Sequence, residues 1–242
     1  MKKLTTLIAA FLFTAGMAFA QSNEATIDQI GDGNNSDIEQ DVSFSNGHVA
    51  ATVQNGNGNQ SNIFQEQSSA EAFVSQIGDA NISDLKQAGY NDADVRFIGN
   101  SNILGSYSNL GSGVAFQKNG SGIFSTGFNK LTLRAEGNNN LFGLNQEGGT
   151  EARIGVLGNR NEVSLFQRDD NSANSTFARV DIDGNRNTVD VNQGNGLDET
   201  DNFTRIDIMG DLNTSSVMQS TSFNTARVTV NGNSNTSSVI QN

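Results

Sequence analysis

Apolar residues recur at every second position in short runs along this chain, and the runs come in pairs around a glycine. The pairs centre on Gly31, Gly56, Gly78, Gly99, Gly137, Gly158, Gly184, Gly210 and Gly232. Six residues before these stand Ala25, Ala50, Ala72, Ala93, Leu131, Ala152, Ala178, Thr204 and Ala226. Four before them stand Ile27, Thr52, Val74, Val95, Leu133, Ile154, Val180, Ile206 and Val228. Seven after them stand Ile38, Ile63, Leu85, Ser106, Leu144, Leu165, Val191, Val217 and Val239, and the positions between are mostly Asp, Arg, Thr, Ser and Asn. A period of two on each side of a turn predicts strand, turn, strand with one face inward. Helical periodicity is absent.

The turns are as regular as the strands. Three residues after each anchor comes Asn34, Asn59, Asn81, Asn102, Asn140, Asn161, Asn187, Asn213 or Asn235. Nine after it comes Gln40, Gln65, Gln87, Gln146, Gln167, Gln193, Gln219 or Gln241, the single exception being Ser108. A unit of about 22 residues cannot bury a face alone, so it stacks on its neighbours. The predicted fold is all-β: a β-solenoid of about ten stacked strand-turn-strand coils, with two parallel sheets and an amyloid-like interior. The tenth coil would be a degenerate unit around Gly120, with Asn129 at the glutamine position. At about 4.8 Å per coil the rod would be roughly 45–50 Å long.

The anchor glycine is expected at φ > 0. The asparagine and the inward glutamine are expected to bond their equivalents above and below, as amide ladders do along a cross-β axis. Asp41–Gly47, Arg168–Ser175 and Gly194–Asp201 read as polar insertions between coils. A valine at Gly194 should therefore matter less than one at Gly137 or Gly184.

Composition agrees with paired backbone. There are 34 Asn and 26 Gly but no Pro, Cys or Trp. Without cysteine there is neither a disulfide nor thiolate chemistry. Lys2 and Lys3, the apolar stretch Leu4–Met17 and Ala18-Phe19-Ala20 read as a signal peptide over residues 1–20, leaving 21–242 as the repeat region. Losing the two lysines moves the formal charge from −12 to −14. Such acidity excludes nucleic acid as the expected partner. No other stretch is apolar enough for a bilayer, so no membrane insertion is expected after signal removal.

The search for reactive chemistry gives no enzyme. His48 is the only histidine and falls where the repeat usually has Asn. Arg153, Arg179, Arg205 and Arg227 share one outward position, with Asp181 and Asp207 two residues along the same face, which reads as a solvated face of alternating charge. Asp181-Ile182-Asp183-Gly184-Asn185 fails as a calcium loop because Arg179 falls where an acid is needed. No catalytic, cofactor-binding or metal-binding residues are assigned, and no cofactor is expected.

The repeat resembles curlin, the subunit family of curli fibres, whose pattern is Ser-x5-Gln-x-Gly-x-x-Asn-x-Ala-x3-Gln. Gln29, Gly31, Asn34 and Gln40 match it, as do Gln54, Gly56, Asn59 and Gln65, and Gln76, Gly78, Asn81 and Gln87. From the fourth unit the first Gln becomes Phe97, Ala135, Val156, Ile182, Ile208 and Val230, a more apolar interior than the family's. The resemblance implies a secreted, cell-surface amyloid fibre subunit serving adhesion and biofilm matrix. It also implies self-stacking, a second curlin subunit and an outer-membrane secretion pore as partners. The competing reading is a monomeric secreted solenoid binding module, adhesin-like or ice-binding. No flat Thr-x-Thr column is present, and the last strand, ending at Gln241, shows no cap behind it.

Overall fold

The structure is a computed structural model and describes residues 23–41, 47–67, 69–106, 115–118, 129–168, 176–194 and 201–242. The expected signal segment 1–20, Ser108, Gly120 and most of the three polar insertions lie outside the described residues. Among those residues the chain is all-β, with two parallel sheets and no helix. First strands of successive units pair only with first strands, and second with second. This is the β-solenoid that the repeat requires.

Each pair of strands forms one rung. Rung one is Glu24–Ile30 with Asn35–Asp41, rung two Val49–Asn55 with Gln60–Glu66, and rung three Glu71–Ile77 with Ile82–Ala88. Rung five is Asn129–Glu136 with Leu141–Glu147, and rung six Thr150–Leu157 with Glu162–Arg168. Rung seven is Thr176–Asp183 with Thr188–Gln193, rung eight Phe203–Met209 with Thr214–Gln219, and rung nine Thr225–Asn231 with Thr236–Gln241. Registers equal the repeat offsets: Ala178 lies on Thr204, Val180 on Ile206, and Gln167 on Gln193.

Rung four corrects the expected count. Its first strand, Asn91–Ile98, faces a second strand in two pieces, Ile103–Ser106 and Ala115–Lys118. The first piece pairs with Ile82–Ser83 and the second with Leu85–Ala88, both on the same neighbouring strand. The two pieces together take one second-strand place, and Asn91–Ile98 pairs directly with Asn129–Glu136, so no further rung lies between them. Asn129 is not at a glutamine position but opens rung five, in register with Asn91. Among the described residues the first-strand sheet accordingly has nine strands, fewer than the ten coils expected.

Alternation puts one face of every strand inside. Strand Thr150–Leu157 is buried at every other residue, and Leu131, Leu133, Leu165 and Val180 are almost wholly buried. The substitutions that break the curlin pattern line the interior: Phe97, Ala135, Val156, Ile182 and Ile208 are at most 3% exposed. Phe97 and Phe142 stack there with ring centres 5.9 Å apart. The inward residue six before the anchor glycine is alanine in most rungs. Where Thr204 replaces that alanine, its hydroxyl sits 3.1 Å from Gln193 Nε2 and 3.0 Å from Gln219 Oε1.

Candidate assembly interface

Three hydrogen-bonded columns run along the stack, and their direction fixes what each end offers. The first is the inward glutamine column. Gln40 Nε2 donates to Gln65 Oε1 at 2.9 Å, Gln65 to Gln87 at 2.9 Å, and Gln87 to Gln117 at 3.1 Å. It continues through Gln117, Gln146, Gln167, Gln193, Gln219 and Gln241 with no break. Gln117 fills the place that the repeat spacing had put at Ser108. Most of these amides also donate to a first-strand carbonyl, as Gln87 does to Glu71 at 2.9 Å. A buried amide with both groups paired avoids the desolvation penalty of an orphan, which is about 1–3 kcal/mol.

The asparagine column runs the other way. Asn59 donates through its backbone N and Nδ2 to Asn34 Oδ1, at 2.9 and 3.1 Å. The pattern repeats at Asn81, Asn102, Asn140, Asn161, Asn187, Asn213 and Asn235. Each Nδ2 up to Asn213 also donates to the next rung's anchor-glycine carbonyl, as Asn161 does to Gly184 at 2.9 Å.

A third column was missed at the sequence level. The residue after each anchor is Asp32, Asn57, Asp79, Asn100, Asn138, Asn159, Asn185, Asp211 or Asn233. From Asn57 onward each Oδ1 accepts the backbone N–H of its equivalent one rung earlier, as Asn57 does from Asp32 at 2.8 Å and Asn185 from Asn159 at 2.9 Å. The column needs only an acceptor oxygen, which is why Asp and Asn interchange here and not at the inner position. Asx in all nine units was the available signal.

Anchor glycines have φ between +111° and +150°, as expected. A Cβ on Gly158 would stand 1.9 Å from the Gly184 carbonyl oxygen, so close stacking demands glycine as much as the dihedral does. Gly194 overturns the expectation of tolerance: its φ is +98°, and a Cβ there would stand 2.2 Å from the Arg168 carbonyl oxygen.

The outward arginine column is ion-paired within rungs. Arg153 Nη2 lies 2.8 Å from Glu151, Arg179 Nε 2.5 Å from Asp181, and Arg205 Nε 2.7 Å from Asp207. The Asp181 hydrogen bond first, and its charge second, hold the Arg179 guanidinium above its ordinary pKa. Arg227 has no carboxylate in its rung and lies over the Phe203 ring at 5.7 Å. His48 is buried; its Nδ1 accepts the Ala70 N–H at 3.0 Å, so the repeat position is served by a ring nitrogen. Among the described residues no group of three or more His, Cys, Asp or Glu is placed to hold a metal ion.

Rung one and the second strand of rung nine leave inward residues open, whereas Ala226, Val228 and Val230 in the first strand of rung nine stay buried. Every residue of Glu24–Ile30 is exposed, with Ile27 at 47%, whereas Val74 and Val95 of the same column are at 0%. In rung nine the second strand Thr236–Gln241 is alternately exposed and half-buried, though its equivalent Thr188–Gln193 in rung seven has three buried residues. Rung one presents Gln40 Oε1 outward along the axis; rung nine presents Gln241 Nε2 and Asn235 Oδ1. These are the two halves of the bonds made at every internal step.

A scan against protein-family models found no match, and a search of curated proteins found none. The class is therefore defined by the fold and its columns: a parallel β-solenoid with amide ladders along the stack.

Proposed function

We propose that the chain is the structural subunit of a curli-like extracellular fibre, built by stacking copies end to end. One observation carries this reading. The groups left unpaired at rung one are those that rung nine lacks, at the same offsets. Ala226, Val228, Ser237, Val239 and Gln241 would sit on Ala25, Ile27, Ser36, Ile38 and Gln40 of a second copy. An uncovered strand edge of this kind templates further pairing, and each added copy would extend the cross-β ladders. The curlin-like spacing supports the same conclusion. Export by the 1–20 segment, passage through an outer-membrane pore, a second curlin-type subunit, and roles in adhesion and biofilm matrix belong to this proposal. No catalysis is part of it.

The test uses the chain from Gln21 onward, purified under denaturing conditions and diluted into buffer. Expected are a lag, fibres that bind thioflavin, an axial repeat of about 4.8 Å, and loss of the lag on seeding. A protein that stays monomeric by light scattering for days at high micromolar concentration would sink the reading. The solenoid binding module would then take its place.

A further inference from the structure

The two ends differ in charge. Rung one, Asn23–Asp41, carries Glu24, Asp28, Asp32, Asp37, Glu39 and Asp41, with no Lys or Arg. Rung nine, Asn224–Asn242, carries Arg227 and no Asp or Glu. We infer that the stack is polar, with rung nine of one copy seated in parallel register on rung one of the next, and that Arg227 selects this junction by reaching the Glu24 and Asp28 carboxylates of that copy. This rests on the fibre-subunit reading and adds to it which faces meet and what recognises what.

Four observations support the choice. In parallel register Arg227 lies over Thr26, with Glu24 and Asp28 two residues to either side. Arginine at this position already pairs at both spacings inside the chain: Arg153 with Glu151, two before it, and Arg179 with Asp181, two after it. Arginine in this column reaches across rungs both ways. The Arg153 guanidinium lies 5.8 Å from the Phe177 ring one rung on. Arg227, with no following rung in its own chain, lies 5.7 Å from the Phe203 ring one rung back and would turn forward at the junction. Phe177 occupies, one rung on, the position that Glu24 occupies in rung one. Finally, both ladders are directional. A junction of two rung-one faces would set Gln40 acceptor against Gln40 acceptor and six carboxylates against six. Inverting one copy would also reverse its strands against its neighbour's, whereas every observed pairing is parallel.

Cysteine cross-linking reads the junction directly, because the chain has no cysteine of its own. Asn35 and Thr236 are uncharged, exposed and at equivalent positions in the second strands of rungs one and nine. Stacked strands lie about 4.8 Å apart, within the Cα separation a disulfide accepts. Asn35→Cys and Thr236→Cys proteins are assembled under reduction, separately and mixed, and then oxidised. The expected result is a disulfide dimer in the mixture and neither homodimer above background. Homodimers as abundant as the mixed dimer would overturn the polar junction while leaving fibre formation, followed by scattering, intact. No cross-link in any arm despite fibres would overturn it too; no fibres and no cross-links would remove the fibre-subunit reading with it. Arg227→Glu in the Thr236→Cys protein should slow mixed cross-linking about threefold to tenfold at low salt, and Asp28→Lys in the other partner should restore it. Rates unchanged by both substitutions would refute the role of Arg227.

Discussion

The same substitution at two equivalent glycines should have very different consequences. In Gly158→Ala the new Cβ falls 1.9 Å from the Gly184 carbonyl oxygen. Ordinary contact begins near 3.4 Å, so the rungs must part there by about 1.5 Å. Four bonds cross this step at 2.9 Å: Gly184 N to Leu157 O, Arg186 N to Asn159 O, Asn159 N to Asn185 Oδ1, and Asn161 Nδ2 to Gly184 O. Parting by that distance carries them beyond hydrogen-bonding range. Losing two or three at about 1 kcal/mol each, with about 1–3 kcal/mol for a non-glycine residue at φ +128°, gives a loss of about 3–6 kcal/mol. In Gly232→Ala the nearest atom to the new Cβ is Asn235 Nδ2 at 3.5 Å, so only the dihedral strain of about 1–3 kcal/mol remains. Urea unfolding of the dilute monomer, followed by far-ultraviolet circular dichroism, measures both. Equal losses would refute the claim that backbone contact between rungs sets the glycine column.

Two further outcomes test the columns chemically. Gln146→Ala removes its bonds with Gln117 and Gln167 and strands Gln117 Nε2 in the interior; the expected loss is about 2–4 kcal/mol, and a urea midpoint unchanged within error would mean that the ladder contributes nothing. Asn138→Asp keeps the outer column's acceptor for the Asn100 N–H and loses only an exposed bond from Nδ2 to Asn159 Oδ1, for a loss of about 1 kcal/mol. Asn140→Asp, in contrast, buries a charge and loses two donated bonds, for a loss of about 3 kcal/mol or more. Similar unfolding midpoints for these two variants would contradict the assignment of inner and outer columns.

Fixed offsets made most of this molecule legible before any coordinates. Gly158, Asn161 and Gln167 recur at one spacing because each must lie on its equivalent, and that constraint is written into the chain. What was missed has three physical causes. The third column hid because Asp32 and Asn57 serve equally as acceptors, so no single residue type marks it. Two residues after each anchor the backbone is left-handed whatever the side chain: Ala80, Arg160 and Leu212 have φ of 55°, 59° and 60°. Residue identity carries no signal there. In rung four the segment between Ser106 and Ala115 displaces Gln117 from its usual offset, so counting along the chain suggested another coil where space holds one rung. Ladder direction could not be read at all, since an amide offers both a donor and an acceptor.

Under the proposed fibre-subunit reading, stability within one copy and affinity between copies would rest on the same kind of step. A solenoid's free energy is approximately a sum of nearest-neighbour steps, and the proposed junction reproduces such a step with nearly the same residues. Ala226 on Ala25, Ser237 on Ser36 and Gln241 on Gln40 repeat pairings made inside the chain, such as Ser215 on Ser237. The exception is Val230, which would meet Gln29, whose own column continues only through Gln54 and Gln76. That one mismatch leaves Gln29 Oε1 without the amide donor that the column supplies at rungs two and three. The junction should therefore be weaker than an internal step by about one buried hydrogen bond, or about 1–3 kcal/mol. Val230→Gln would complete the column. It should lower the concentration of free protein in equilibrium with fibres, measured by sedimentation, by about fivefold or more for a gain of 1 kcal/mol. An unchanged or higher equilibrium concentration would mean that Val230 does not meet Gln29 at the junction.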